Sequence, residues 1–323
     1  MKAIRFAKPG GPEVLILQDI ELPAPGPSQV RVRHQAVGVN FIDTYHRSGL
    51  YPVPLPSGIG LEAAGAVEAA GEGVEHLKPG DRVAYCQGPI GAYAEANNVA
   101  ADRLVKLPAA ISDETAAAAM LKGLTAQYLL KQTFPVKRGQ TILFHAAAGG
   151  VGLIAGQWAK HLGCTAIGTI GSDDKMELAR ANGYDRLLNL RQDDWVAQVR
   201  QWTGGEGVPV VYDSVGKDTF QGSLDCLALR GMLVSFGNSS GPVPTFEPNL
   251  LSAKGSLYLT RPTLFHYANT PERLQAMADD LFAVIESGVV KITINQRFPL
   301  AEARAAHEAL HSRQTTGATI LLP

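Results

Sequence analysis

Between residues 141 and 260 the chain alternates two patterns that few architectures accommodate together. Six short runs are apolar along most of their length: TILFH (141–145), TAIGTI (165–170), RLLNL (186–190), VPVVYD (208–213), GMLVSF (231–236) and SLYLT (256–260). Amphipathic stretches such as DKMELARAN and DDWVAQVRQWT separate them. A strand that is apolar on both faces must be covered on both. Intervening helices supply that cover and return the chain so that successive strands run parallel. The pattern predicts a doubly wound parallel α/β sheet of six strands.

The preceding 120 residues follow a different grammar. QVRVRHQAVGV alternates Val30 and Val32 with Arg31 and Arg33, as a half-buried strand does, and AAGAVEAAG, DRVAYC and AYAEANNVAADRLVKLP continue in that style. Turn signals such as KPGD at 78–81 separate these runs. Ser112 then reads as the N-cap of a helix over SDETAAAAMLKGLTAQYLLKQ. The last 60 residues hold a helical pattern (271–287), a strand in VVKITINQRFP, a helix in LAEARAAHEALHSRQ and a final strand, GATILLP. They follow the sixth apolar run and are expected to complete the first domain. A chain of 323 residues exceeds the usual size of one hydrophobic core. The expected division is therefore 1–123, a β-rich substrate domain; 124–262, the parallel-sheet domain; and 263–323, the completion of the first.

A net charge of −1 argues against a nucleic-acid surface, and no run reaches the ~18 apolar residues of a membrane span. The N-terminal MKAIRFAKPGG lacks the apolar core of a signal peptide, so a cytoplasmic location is expected. Three isolated cysteines, Cys86, Cys164 and Cys226, support neither a disulfide framework nor a zinc lobe and read as core residues.

After the run TILFH the chain reads Ala147-Ala148-Gly149-Gly150-Val151-Gly152, which is G-x-G-x-x-G with alanine in the first place. A strand, this turn and a helix in succession form a dinucleotide site. Gly149 lets the backbone approach a pyrophosphate, free N–H groups at the helix start meet its charge, and Gly152 permits close helix–strand packing. The null alternative is a small-residue turn that serves packing alone. An NAD site places a carboxylate at the end of the second strand. Here that tip offers Gly171 and Ser172, with Lys175 one turn on, which suits a 2′-phosphate. Asp173 and Asp174 read as first-turn acids of the next helix, with a ribose ligand as the alternative. The cofactor expected is NADPH.

A catalytic zinc would need thiolate and imidazole ligands in the first domain. Asn40 and Leu61 stand at the two places where they would fall, and His34, His46 and His76 are scattered without ligand spacing. No metal is expected.

The segments GGPEVL, GVNFIDTYHRSGLYP, LPSGIGLEAAGAV, KGLTAQYLL, FHAAAGGVGLIAGQWAK, VVYDSVGKDTF, SFGNSSG and SRQTTGATILLP span nearly the whole chain. Together they resemble the zinc-free, zeta-crystallin-like NADPH:quinone oxidoreductases of the medium-chain dehydrogenase/reductase superfamily. The resemblance implies a GroES-like substrate domain interrupted by a Rossmann domain, a homodimer, and a small quinone as substrate. It implies that Asn40, Phe41, Ile42, Asp43, Thr44 and Tyr45 border the nicotinamide half of the cofactor, with Tyr51 facing the ring pocket. Thr125 and Tyr128 would touch the cofactor, and Gly149, Gly150 and Val151 would bind its pyrophosphate. Gly171, Ser172 and Lys175 would take the 2′-phosphate, and Phe236, Gly237, Asn238 and Ser239 would flank the nicotinamide, with Arg313 reaching in. Asn40 and Tyr51 would position and polarise the acceptor.

Plainer readings stand beside these. Asn40 and Asp43 cap a helix that begins near residue 41; Tyr51 is a packed loop aromatic; SFGNSSG is an ordinary turn; Arg313 and Lys175 are helix-surface cations. The family pattern also has a tyrosine where this chain has Leu190, which loosens the expected preference for NADPH. Two other functions remain open: a zinc-free reductase of enone or enal C=C bonds, and a non-catalytic NADPH-binding structural or RNA-binding protein.

Overall fold

The computed structural model describes residues 1–312 and 315–323. The chain divides into two compact units, Met1–Leu124 with Ala268–Glu286 and Ile292–Pro323, and Thr125–Tyr267 with Ser287–Lys291.

The second unit is built on a six-stranded sheet. In spatial order its strands are Arg186–Asn189, Thr165–Ile170, Thr141–Phe144, Val208–Asp213, Leu227–Ser235 and Tyr258–Thr260. Every pairing is parallel. In chain order this is 3-2-1-4-5-6, so the sheet reverses direction beside Thr141–Phe144, where doubly wound sheets bind ligands at their carboxyl ends. The apolar character of the strands follows from their burial. Leu143, Ile167, Val208, Val211 and Leu233 have no exposed surface. The third strand stops one residue short of expectation, because the chain turns at Asn189, whose carbonyl accepts the Gln192 and Asp193 N–H groups at 3.1 and 3.0 Å. The fifth strand begins earlier than expected, at Leu227, through an irregular register against Val208–Val210.

The first unit pairs Ile294–Pro299, Ala318–Leu322, Gln29–Val39, Glu62–Ala70, Arg82–Tyr85 and Val105–Lys106 in that order, with Ala96–Ala100 also on Gln29–Val39. Gln29–Val39 alternates as read: Val30 and Val32 are fully buried, while Arg33 reaches out to Glu68 at 2.6 Å. The terminal strand Ala318–Leu322 lies antiparallel on Val37–Val39, which is how the end of the chain closes the first unit. The Ser112 cap is present, its Oγ accepting the Thr115 N–H at 3.1 Å. The helix it starts, Asp113–Tyr128, then widens into a π turn over Leu129–Thr133. All three cysteines are buried and free.

Candidate active site

In the second unit the dinucleotide turn follows Thr141–Phe144 directly, and the helix Gly150–His161 begins with Gly149 as N-cap. The first intrahelical bond runs from the Leu153 N–H to the Gly149 carbonyl at 2.9 Å. The N–H groups of Gly150, Val151 and Gly152 precede it and have no partner within the helix, which makes them an anion-binding end. A Cβ on Gly152 would stand 2.3 Å from the Ala146 carbonyl and 2.7 Å from that of Ala147, so only glycine lets the helix start this close to the turn. The left-handed backbone of the turn falls on Ala146 (φ 56°), a residue the motif does not single out. The geometry therefore fits a diphosphate.

At the end of the second strand a Cβ on Gly171 would meet nothing within 4 Å. Ser172 and Lys175 follow, joined by a bond from the Lys175 N–H to the Ser172 carbonyl at 3.2 Å. Asp173 gives one carboxylate oxygen to the Asn189 amide at 2.8 Å and so braces two strand ends. That bond favours the structural reading of Asp173 over a ribose ligand. The Leu190 side chain has no donor to offer, and the Arg191 N–H is spent on the Asn189 side chain at 3.0 Å. Across the reversal, the Phe236 N–H bonds to the Asp213 carbonyl at 2.7 Å and the Ser239 N–H to that of Ser214 at 3.1 Å. A Cβ on Gly237 would lie 2.6 Å from the Ser214 carbonyl, so this loop is held tightly to the strand end. Tyr128 is only 2% exposed and stacks on Tyr267 at 4.4 Å. Thr125 is buried one turn before it. Arg313 lies outside the described residues.

The first unit holds a buried polar cluster that the sequence reading only touched. Asn40 is the N-cap of the helix Phe41–Ser48, as the plainer reading has it, and its side-chain amide also reaches Glu62. Asn40 Nδ2 donates to Glu62 Oε2 at 2.8 Å, Lys122 Nζ donates to the same oxygen at 3.3 Å, and the Leu121 N–H donates to Glu62 Oε1 at 2.6 Å. Glu62 is fully buried, and Gly38 makes the room: a Cβ there would stand 2.1 Å from Glu62 Oε2 and 2.3 Å from the Ala117 carbonyl.

Behind Asn40 runs a chain of hydrogen bonds with a fixed direction. Arg47 is only a donor, so the His307 Nδ1 that lies 2.9 Å from its Nη1 must accept. The proton then sits on Nε2, which donates to the Tyr93 hydroxyl at 3.0 Å, and Tyr93 donates to Asp43 Oδ2 at 2.9 Å. The Asn40 N–H donates to the same Asp43 oxygen at 2.9 Å. Asp43 has no exposed surface and braces Asn40 from behind. Phe41 is 37% exposed, Ile42 is half-buried, and the Thr44 hydroxyl is spent on the Phe41 carbonyl at 2.7 Å. Tyr51 is half-buried, its ring edge-on to Tyr45 at 5.2 Å. The lone lysine in an alanine-rich helix was the available signal for Lys122. Tyr93 and His307 come from segments remote in sequence and gave none.

Burial raises the Asp43 carboxyl to about 7, and its Oδ1 is buried without a hydrogen-bond partner. Burial lowers His34 to about 4, and burial together with Arg47 lowers His307 to about 3. The two histidines bind protons near pH 6.5 only when unfolded, so their stabilisation is complete above 6.5 and drains away as pH falls towards 4 and 3. Asp43 has the opposite sign, holding its proton in the native state up to about 7 and regaining stability as pH falls from 7 to 4. One histidine is thus offset. For these three groups the difference is a loss of about 1.4 kcal/mol per pH unit between 6.5 and 4, and His46 and His145, also lowered by burial, act in the same direction. Asp43→Asn, which keeps the neutral shape, is expected to remove the offset and steepen the fall of Tm with acid; an unchanged slope would contradict the raised Asp43 carboxyl.

Among the described residues no group of three or more His, Cys, Asp or Glu side chains is placed to hold a metal ion. No helix among them is long and apolar enough to cross a membrane.

A β unit closed by the C-terminal chain, with a six-stranded dinucleotide unit inserted into it, defines a medium-chain dehydrogenase/reductase. The alcohol dehydrogenase GroES-like domain model matches residues 26–109, and the zinc-binding dehydrogenase model matches 150–281. The chain is 59% identical over 323 residues to the quinone oxidoreductase of Pseudomonas aeruginosa, covering 100% of this chain and 99% of that one. Its identity to a 2-haloacrylate reductase of a Burkholderia species is 45% over 326 residues, covering 98% and 97%. The crystal structure of Escherichia coli quinone oxidoreductase complexed with NADPH superposes with a TM-score of 0.99 at 51% identity, covering 100% of both chains. The chain belongs to the quinone oxidoreductase family, in the zinc-free branch of the superfamily.

Proposed function

We propose that the chain is an NADPH-dependent reductase of quinones. The observation that carries the cofactor half is the second-strand tip, where Gly171 is open, Lys175 follows, and one of the two carboxylates between them, Asp173, is bonded to Asn189. When bound, NADPH supplies hydride from its nicotinamide C4.

The chain's own residues bind and orient. The amides of Gly150, Val151 and Gly152 hold the diphosphate, and Gly149, its own N–H bonded to the Ala146 carbonyl at 3.0 Å, gives the close backbone approach. Gly171, Ser172 and Lys175 take the 2′-phosphate, and Phe236, Gly237, Asn238 and Ser239 flank the nicotinamide. Asn40 and Tyr51 position and polarise the acceptor, with Phe41, Ile42, Thr44 and Tyr45 lining the approach and Thr125 beside the cofactor. The single proton that completes the hydroquinone comes from solvent. Titration of the purified protein with NADPH and NADH, followed by naphthoquinone turnover, tests this. Tighter binding of NADPH with quinone-dependent oxidation is expected, and no oxidation with any quinone would refute it.

The 45% identity to a 2-haloacrylate reductase favours a second reading, in which the acceptor is a conjugated C=C bond. Faster turnover of small enones than of naphthoquinones would select it.

We further propose a homodimer joined at the edge strand Tyr258–Thr260. Among the described residues this strand pairs only with Leu227–Ser235, and Tyr258 and Leu229 are 58% and 79% exposed. Light scattering at the monomer mass would refute it.

A further inference from the structure

Lys122 is the one lysine buried among the described residues, 6% exposed, and its bonding capacity is not used up. An ammonium has three donors. Glu62 takes one at 3.3 Å, and no other hydrogen bond from Lys122 is formed among the described residues. Neutralising Glu62 is a poor reason to bury this cation, because an apolar pair of similar volume usually serves a core as well. The fold nonetheless keeps the pair, leaving Gly38 without a side chain to admit the carboxylate. Asn40 donates to the same Glu62 oxygen, so the carboxamide and the ammonium converge on one point. Thr125 lies three residues on, on the same face of the helix.

We propose that the Lys122 ammonium, oriented by Glu62 and set beside Asn40, is the electrophile that binds the acceptor's carbonyl oxygen. The inference rests on the quinone-reductase reading and adds a residue to it. Hydride carries two electrons and one proton from NADPH to the acceptor, leaving NADP+, and the acceptor oxygen becomes negative. Lys122 donates a hydrogen bond to that oxygen and keeps its proton; water supplies the proton that completes the hydroquinone. A donor fixed where negative charge develops favours the transition state over the ground state. The help matters most for weak acceptors, whose reduced oxygen is the more basic.

The test uses Lys122→Met and the double variant Lys122→Met/Glu62→Gln. Melting temperature, the NADPH dissociation constant and kcat are read on quinones running from strong to weak electron acceptors. Lys122→Met strands a buried carboxylate and is expected to melt earlier, and the double variant to regain stability. In the double variant NADPH binding should stay within about twofold of wild type. Its kcat should fall about tenfold or more on the weakest acceptor and progressively less on stronger ones. Recovery of turnover together with stability would show Lys122 to be only Glu62's counter-ion, and an equal loss on every acceptor would overturn the electrophile. If Lys122→Met does not fold, the double variant carries the test. A wild-type enzyme without quinone turnover would instead refute the functional reading itself.

Discussion

Gly152→Ala is expected to abolish measurable NADPH binding at micromolar cofactor while the rest of the chain still folds. The added Cβ would stand 2.3 Å and 2.7 Å from two backbone carbonyls, those of Ala146 and Ala147. Neither can swing aside as a side chain could. The helix start must therefore move away from the turn, and overpacking of this kind costs roughly 1–3 kcal/mol in stability. The larger effect falls on the cofactor. The amides of Gly150, Val151 and Gly152 act on a diphosphate only while they converge, and each charge-assisted bond lost costs about 1.5–3 kcal/mol. Loss of two such bonds weakens binding by about 10²- to 10⁴-fold. Fluorescence titration beside a thermal melt separates the two effects. A variant that binds NADPH as wild type does would show that the diphosphate lies elsewhere.

Lys175→Ala is expected to weaken NADPH by about 10- to 150-fold, the equivalent of one charge-assisted bond, and to leave NADH nearly unchanged. The reason lies in what surrounds it. Asp173 is occupied by Asn189, Leu190 brings no donor, and the Arg191 N–H is taken by Asn189. Discrimination between the two cofactors thus rests on Ser172 and Lys175, with the Arg191 guanidinium, which the backbone bond to Asn189 does not use, as the other donor at this tip. Equal losses for NADPH and NADH would show that Lys175 does not meet the 2′-phosphate. Arg313, proposed for the same role on family resemblance, gives a second variant for the same titration.

The six strands of the second unit were legible because a strand buried on both faces must be apolar throughout. Thr165–Ile170 and Val208–Asp213 match their sequence limits to the residue. The deviations have local causes. The third strand ends early at a turn closed on the Asn189 carbonyl, and the fifth starts early through an irregular pairing that no hydrophobic period announces. The glycines of the cofactor turn were also legible, since their function is to lack a side chain. Asn40 and Asp43 illustrate the limit. Their spacing shows a helix start, but that the Asn40 side chain turns to Glu62 depends on a partner 22 residues away.

By itself, then, the sequence determined the parallel sheet, the alternating strand Gln29–Val39, the helix capped by Ser112 and the glycine turn that opens the helix Gly150–His161, each governed by residues within a few positions of one another. Only the tertiary structure decided that Asn40, Glu62 and Lys122 share one buried oxygen, and that Arg47, His307, Tyr93 and Asp43 form a directed chain behind them. Periodicity reports what each segment does with its own faces. Which polar groups meet once water has been removed is set by how distant segments pack.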